Sequence, residues 1–409
     1  MLKSLPNSNI AIPVLLVMMF TLPVFSQTAD EQYLAGCAHY IRGDFAASAE
    51  SFTLAIARNN ADYRLFIRRG ASLLRNNETV SALADFNEAN VIYPGCADLW
   101  LAKTYALEGD RANAIRLLKN HLDSPFRLPE DSIKKDPHFD QLQETAEWHS
   151  LWQNDWYDDA EKTVAEARYY TAKKQYDQAI ALLDDGLSKD VAHTGLTFAR
   201  GKVFFEQGLY TAAISDFTSV ISNNREITDA FIMRASAYLK AGRFKDAIND
   251  FSRALKNDPG DFRLYIDRAS AYAGQKDWQS AIRDMSIYLK YFGDDIQSLY
   301  QCADYFYEAG DYMNALRYFN QVLKEEPTNS MFYKARGKTY LKTSTYQYAM
   351  KDLAMSLDLN PQDAETWMFM GLAKIKSGDR VNGCSDLQRS GKMGNAEALK
   401  YIIDSCGQK

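Results

Sequence analysis

A spacing of 34 residues recurs along the chain and limits its fold more than any other feature. Between Thr228 and Pro259 the marks are Phe231, Arg234, Ala235, Tyr238, Gly242, Phe244, Ala247, Phe251, Ala254 and Pro259, at positions 4, 7, 8, 11, 15, 17, 20, 24, 27 and 32 of a unit. Copies in the same phase start at Ala160, Thr194, Phe262, Ile296, Ser330 and Ala364, so seven units follow one another without insertion or deletion. Ala29 and Tyr63 open two more units 34 residues apart, and a third begins near Gly95 with a shift of two residues. A period in this range means stacked supersecondary units.

Each unit reads as helix, turn, helix. Small residues at positions 8 and 20 let two antiparallel helices approach closely, and bulky residues at 4, 7, 11, 17 and 24 fill the space around that contact. Glycine at 15 suits the left-handed conformation that ends the first helix. Proline at 32 stops the second, because it lacks a donor and blocks the preceding turn. One such pair cannot bury its apolar faces alone, so neighbours must stack. The pattern resembles the tetratricopeptide repeat family over most of the chain, and departs from it in the third unit and in residues 122–159. The expected fold is an all-α helical-hairpin solenoid, a right-handed superhelix of about ten repeats. Four segments are expected: a signal peptide at 1–26, a three-repeat block at 27–121, an irregular helical joint at 122–159, and a seven-repeat block with a capping helix at 160–409.

The first 26 residues have Lys3 as their only charged side chain, and an apolar stretch from Ile10 to Phe25 carries Pro13 and Pro23. It ends in Val24-Phe25-Ser26 before Gln27 and the acidic Asp30-Glu31, the pattern of a cleaved secretory signal. The stretch falls short of the ~20 clean apolar residues that a membrane span needs. Cleavage near Ser26-Gln27 would make the protein periplasmic or secreted.

Five units pair Arg at position 7 with Asp at position 23: Arg69 with Asp85, Arg200 with Asp216, Arg234 with Asp250, Arg268 with Asp284, and Arg336 with Asp352. The constant separation predicts an ion pair across the two helices of one unit, a structural clamp and not a ligand site. Cys384 and Cys406 lie equally far from Asn395, the break between two expected helices. Residues equidistant from such a turn sit side by side, so a disulfide is expected in an oxidising compartment. Exported Bacteroidetes repeat proteins are similar at this end, with a cysteine before and another after the final helix. Cys302, at core position 7, is expected to be a buried thiol, and Cys37 and Cys96 are too far apart along the array to pair.

The irregular segment carries Trp148, Trp152 and Trp156 at i, i+4 and i+8, which predicts three indoles on one helical face. That face is either a plug between the two blocks or an aromatic platform for a peptide or glycan.

The chain shows no sign of catalytic chemistry. His39, His121, His138, His149 and His193 form no zinc-binding spacing. No phosphate-binding glycine loop, GxSxG elbow or CxxC is present. No metal, cofactor or enzymatic activity is expected. Basic residues are not clustered and the net charge is −6, which argues against nucleic acid.

In the tetratricopeptide family the first helices line a concave groove through positions 2, 5, 9, 12 and 13. The resemblance therefore implies groove roles for Phe198, Lys202 and Phe205 in the fifth unit, and for Ile232, Ser236 and Ile266 in the sixth and seventh. It implies the same for Tyr300, Asp304 and Tyr307 in the eighth unit, and for Lys334 and Lys338 in the ninth. Aromatics with a few charges suit a polypeptide partner. The expected function is a non-catalytic scaffold or adaptor of the periplasm or cell envelope. The alternatives are a holdase for exported polypeptides and a self-assembling envelope component.

Overall fold

The computed structural model describes residues 29–224 and 227–407, so the expected signal peptide lies outside the described residues. Among the described residues all regular structure is helical. Three antiparallel pairs come first: α1 (Ala29–Arg42) with α2 (Phe45–Ile56), α3 (Tyr63–Arg75) with α4 (Thr79–Ile92), and α5 (Asp98–Leu107) with α6 (Arg111–Leu122). Two short helices follow, α7 (Glu130–Lys134) and α8 (Ala146–Leu151), with a 3-10 turn at Pro137–Leu142 between them. Then come α9 (Asp159–Ala172) with α10 (Tyr176–Lys189), α11 (Thr194–Glu206) with α12 (Tyr210–Asn223), α13 (Thr228–Lys240) with α14 (Phe244–Asn257), and α15 (Arg263–Gly274) with α16 (Trp278–Tyr291). The array finishes with α17 (Ile296–Glu308) and α18 (Tyr312–Glu325), α19 (Ser330–Lys342) and α20 (Tyr346–Leu359), α21 (Ala364–Lys376) and α22 (Arg380–Lys392), and the single α23 (Ala396–Cys406). These ten pairs form a helical-hairpin solenoid.

The residues that repeat are those that pack. Ala247, Ala281, Ala315 and Ala349, all at position 20, are wholly buried, as are Phe86, Phe217 and Phe251 at position 24. At the crossing of α21 on α22 glycine holds both position 8 and position 20, and the backbones approach closely. A Cβ on Gly371 would sit 2.7 Å from the Gly383 carbonyl oxygen, and one on Gly383 equally close to that of Gly371. Position 15 turns left-handed whichever residue occupies it. Gly242 has φ 73°, while Asn77, Lys174, Lys276 and Ser344 hold φ of 62°, 60°, 60° and 58° in units that lack the glycine.

An arginine ladder ties the pairs together. In each of the five units Nε and Nη2 of the arginine donate to the two carboxylate oxygens of its aspartate, at 2.6–2.9 Å. The remaining Nη1 reaches back to the preceding unit, to Thr53, Asp184, Thr218, Ser252 and Asn320 in turn. The tenth unit has Met370 at position 7, and Lys374 lies 2.6 Å from Asp386 instead. At the end of the array Cys384 and Cys406 are joined, their Cα atoms 5.8 Å apart, and α23 covers Leu387 and Met368.

The irregular segment corrects one expectation. The helix carrying Trp148 stops at Leu151, so the three indoles share no helical face. Gln153, Asn154 and Asp155 turn the chain, and Trp156 Nε1 folds back to donate to the Leu151 carbonyl at 2.8 Å. Trp148 is buried against Phe139 and edge-on to Trp152, and Lys134 lies over the Trp152 ring. Ile133, Phe139, Leu142, Trp148 and Leu151 enter the same core as α5 and α6.

The solenoid also meets itself. Residues of α1 and α3 touch the turns that follow α14 and α16. Tyr33 and Arg68 bond Asp258, Arg42 pairs with Asp294, and Lys290 with Glu31. Cys37 and Phe262, both nearly buried, lie in one continuous apolar cluster.

Candidate functional site

A groove of about 670 Å3 opens between the irregular segment, α9 and α11. Its floor is apolar: Val164, Ala167, Phe198, Ala199 and Val203 line it with the ring of Tyr176. The helices place these side chains by register. Val164 and Phe198 are position 5 of consecutive units, and Arg168 and Lys202 are position 9, one turn further along the same faces. Phe198 is braced from behind by Phe217, the ring centroids 5.6 Å apart, and Lys202 Nζ lies 5.9 Å from the centre of the Phe198 ring.

One end of the groove is closed by an ordered corner. Arg127 grips Glu161 with two hydrogen bonds of 3.0 and 2.8 Å, and Glu161 also caps the start of α9 through the Asp158 backbone N–H. These bonds to Glu161 hold the Arg127 guanidinium charged and raise its pKa. Tyr157 donates to the Leu128 carbonyl at 2.7 Å, and burial pushes its phenol pKa up.

The charges left over in the groove are mostly positive. Among the described residues no carboxylate pairs with Arg168, Lys174 or Lys202, whereas Glu206 is the one lining acid without a basic partner. Glu161 is engaged by Arg127, Glu130 by Lys134, and Lys162 by Asp155. The result is an apolar trough with three cations around it that no carboxylate of the described residues pairs with, in a chain whose net charge is −6.

The other residues expected to line a groove are distributed differently. Tyr300, Asp304, Tyr307, Lys334 and Lys338 do come together, but around a cleft of only about 40 Å3. Tyr300 stacks on Phe332 of the next first helix at 5.1 Å, which fills the space. Lys334 is held by Asp363 at 2.9 Å and Glu365 at 2.8 Å, so the ninth unit presents a neutralised lysine there. Burial raises the Asp304 pKa, with Lys338 opposing the shift. Phe205 lies outside the large groove, edge-on to Tyr210. Ile232 and Ile266 pack against core clusters, and the Ser236 hydroxyl is spent on the Ile232 carbonyl of its own helix.

Sequence reasoning passed over Arg127, Tyr157, Val164, Arg168 and Lys174. Val164 and Arg168 sit at positions 5 and 9 of the fourth unit, so the repeat register carried their signal. Arg127 and Tyr157 come from the irregular segment, where no register applies. Among the described residues no three His, Cys, Asp or Glu side chains gather as a metal site, and no helix is long and apolar enough to cross a membrane.

Residues 33–95, 164–224, 232–290 and 300–364, together more than half of the chain, match the family model for the tetratricopeptide repeat. No curated protein matches the chain. Among solved structures, the C-terminal part of a TPR repeat-containing protein from Cytophaga hutchinsonii aligns with a TM-score of 0.50 at 16% identity, over 58% of this chain and 98% of that one. A tetratricopeptide repeat protein from Parabacteroides merdae aligns at 20% identity with a TM-score of 0.45, over 61% of this chain and 99% of the other. YrrB, described as a TPR protein with an unusual peptide-binding site, aligns at 14% identity with a TM-score of 0.39, over 46% and 97%. At these identities the Cytophaga likeness speaks to the fold alone.

Proposed function

We propose, because the chain belongs to the tetratricopeptide repeat family, that it is a non-catalytic scaffold that holds partner polypeptides, with the α9–α11 groove as its main site. The observation that carries this reading is the groove itself: an apolar floor set among three cations with which no carboxylate of the described residues pairs. A segment with carboxylates around one bulky apolar side chain complements it. The side chain is buried against Phe198, Val164 and Val203, while the carboxylates meet Arg168, Lys174 and Lys202. The partner's acids also set the encounter, since a cationic trough on an acidic protein attracts them locally.

The compartment belongs to the same proposal. A signal-like leader and a disulfide at Cys384–Cys406 both favour export to the periplasm or beyond.

The test is selection of displayed random peptides on the mature protein. Enriched peptides should combine Asp or Glu with Leu, Phe or Trp, and should lose affinity at least tenfold on the double variant Arg168→Glu, Lys202→Glu. Enrichment without acidic bias, or binding indifferent to both substitutions, overturns the reading. Capture of any apolar peptide regardless of charge would favour a holdase.

A further inference from the structure

The N-terminal groove already holds a piece of the chain, and the way it does so outlines a second binding site. Tyr33 and Cys37 are positions 5 and 9 of the first unit, and Arg64 and Ile67 are positions 2 and 5 of the second. Positions 5 and 9 are the ones that line the α9–α11 groove. In the N-terminal pairs they face the turn 257–262 that joins α14 to α15. Tyr33 Oη donates to Asp258 Oδ1 at 2.7 Å, and Arg68 Nη2 donates to Oδ2 at 2.7 Å. Arg64 Nη1 donates to the Asn257 carbonyl at 3.1 Å. Gly260 lies so deep that a Cβ would be 2.6 Å from Cys37 Sγ and 3.0 Å from Tyr33 Cε1. A carboxylate clamped by a phenol and a guanidinium, with a main-chain carbonyl held beside it, is how a groove secures a peptide.

The turn fills only part of this groove. Next to Asp258 a cavity of about 350 Å3 remains, walled by Tyr33, Tyr40, Phe52, Ile67 and Trp100. Asp258 is the only residue of the turn that lines it.

We propose that the N-terminal groove binds acidic partner segments that carry a bulky apolar side chain beside a carboxylate, and that the turn 257–262 occupies it as an internal competitor. The partner's carboxylate takes the place of Asp258 between Tyr33 and Arg68, and its apolar side chain fills the cavity against Ile67 and Trp100. The tethered turn competes at an effective concentration on the order of millimolar. Phe262 of the turn is itself buried, so a partner prevails through the added burial against Ile67 and Trp100, which no residue of the turn supplies. Two further closing contacts, Arg42–Asp294 and Lys290–Glu31, are exposed pairs of the kind that contribute little, so the apolar contact around Cys37 and Phe262 is what a partner has to displace. This site is separate from the α9–α11 groove and does not rest on the reading given for it.

The experiment uses the full mature chain and fluorescent ten-residue peptides copying residues 255–264. One peptide is unaltered, and the others carry tryptophan at each position in turn except that of Asp258. Gly260→Ala should push the turn out, through collision with Cys37 and Tyr33 of α1, without changing a helical residue. At least one tryptophan-bearing peptide should bind this variant tenfold or more tighter than the unaltered protein, and adding Arg68→Ala should abolish the gain. Asp258→Asn, which keeps the turn but weakens its hold, should give the same ranking and serves if Gly260→Ala does not fold. Arg168→Glu with Lys202→Glu should leave this binding unchanged. The proposal is overturned if no peptide binds either opened variant, if the unaltered protein binds equally well, or if Arg68→Ala has no effect. Loss of binding on changing the α9–α11 groove would overturn it too, since the peptide would then sit there.

Discussion

Arg234 sets its Nε 2.7 Å from Oδ2 of Asp250 and its Nη2 2.9 Å from Oδ1, so one guanidinium edge is matched to one carboxylate across the α13–α14 pair. The two side chains are only 15% and 9% exposed. Removing one partner strands the other charge where water reaches it poorly. Arg234→Met and Asp250→Asn should each cost about 2–4 kcal/mol, between the values for exposed and buried pairs. The double variant Arg234→Met, Asp250→Asn should cost less than the two single losses added together, because no charge is left behind. Lys189→Ala, at the exposed pair with Asp185, should leave the unfolding midpoint nearly unchanged. Urea unfolding midpoints of the four variants check the series.

The repeat unit was legible because its residues recur at a fixed interval and each has a local job. Ala247 and Phe251 declare a helix crossing by size and spacing, and Arg234 and Asp250 declare a partnership by a constant separation. The contact of Tyr33 with Asp258, 225 residues away, has no such signature. It depends on the summed rotation of many stacked pairs, and each pair adds only a small angle. Register alone also leaves open which groove is open. Tyr300 and Phe198 hold the same position in their units, yet Tyr300 is stacked on Phe332 while Phe198 faces the large groove. The size of the neighbouring residue decides that, and the neighbour lies one unit away. Trp156 left the expected face because a polar turn at 153–155 ended the helix, a local signal outweighed in the sequence reading by the spacing of the indoles.

The glycine crossing of α21 and α22 predicts a sharp local sensitivity. A methyl on Gly383 would meet the Gly371 carbonyl oxygen at 2.7 Å and the Ile375 nitrogen at 3.0 Å, and backbone atoms cannot swing aside. Gly383→Ala should cost about 1–3 kcal/mol through overpacking, against the ~1 kcal/mol that alanine would gain in an open helix. Hydrogen exchange should show the loss in residues 364–406, with α9–α12 unchanged.

Ser344 should respond in the opposite sense. Its φ of 58° is left-handed, where a Cβ is strained by about 1–2 kcal/mol, partly offset by the larger entropy that glycine loses on folding. Ser344→Gly should therefore stabilise the protein by about 0.5–1 kcal/mol. Gly242→Ala, at the same position of another unit, should destabilise it by about as much. Melting temperatures of the pair, moving in opposite directions, check the claim.

Acid should weaken the joint between α6 and the irregular segment through one imidazole. His121 is 3% exposed, and its Nε2 accepts the Leu128 N–H at 3.1 Å, which requires the neutral ring. Burial lowers its pKa to about 4, with Asp98 acting against the shift. Its ordinary pKa in the unfolded chain is about 6.5, so above that value the ring is neutral in both states and its contribution is fully present. Below it the unfolded chain takes up the proton first, and stability falls until the pH drops through about 4. After partial screening by solvent the loss is roughly 2 kcal/mol. His121→Gln keeps an acceptor for Leu128 and should flatten the stability profile between pH 6.5 and 4.

The C-terminal cap combines one covalent bond with a modest apolar contact, Tyr401 and Ile402 lying half-buried beside Met368 and Leu387. Of the described side chains of α23 only Ala398 is buried, while Leu399 and Ile403 are 51% and 75% exposed. The apolar contact that would hold the helix is therefore small. The bridge from Cys384 to Cys406 closes a loop of 22 residues, for which the chain-entropy account gives about 3 kcal/mol. Reduction, or Cys406→Ser, should release α23 before any other helix. Amides of residues 396–406 should then exchange at least tenfold faster, and Met368 and Leu387 should become newly accessible. The helices from α9 to α20 should keep their protection, because α23 packs on the last hairpin of the stack and not on them. If α23 stays protected after reduction, the exposed Leu399 and Ile403 must be covered by contacts that outweigh the bond, and the view of the cap as covalently held is wrong.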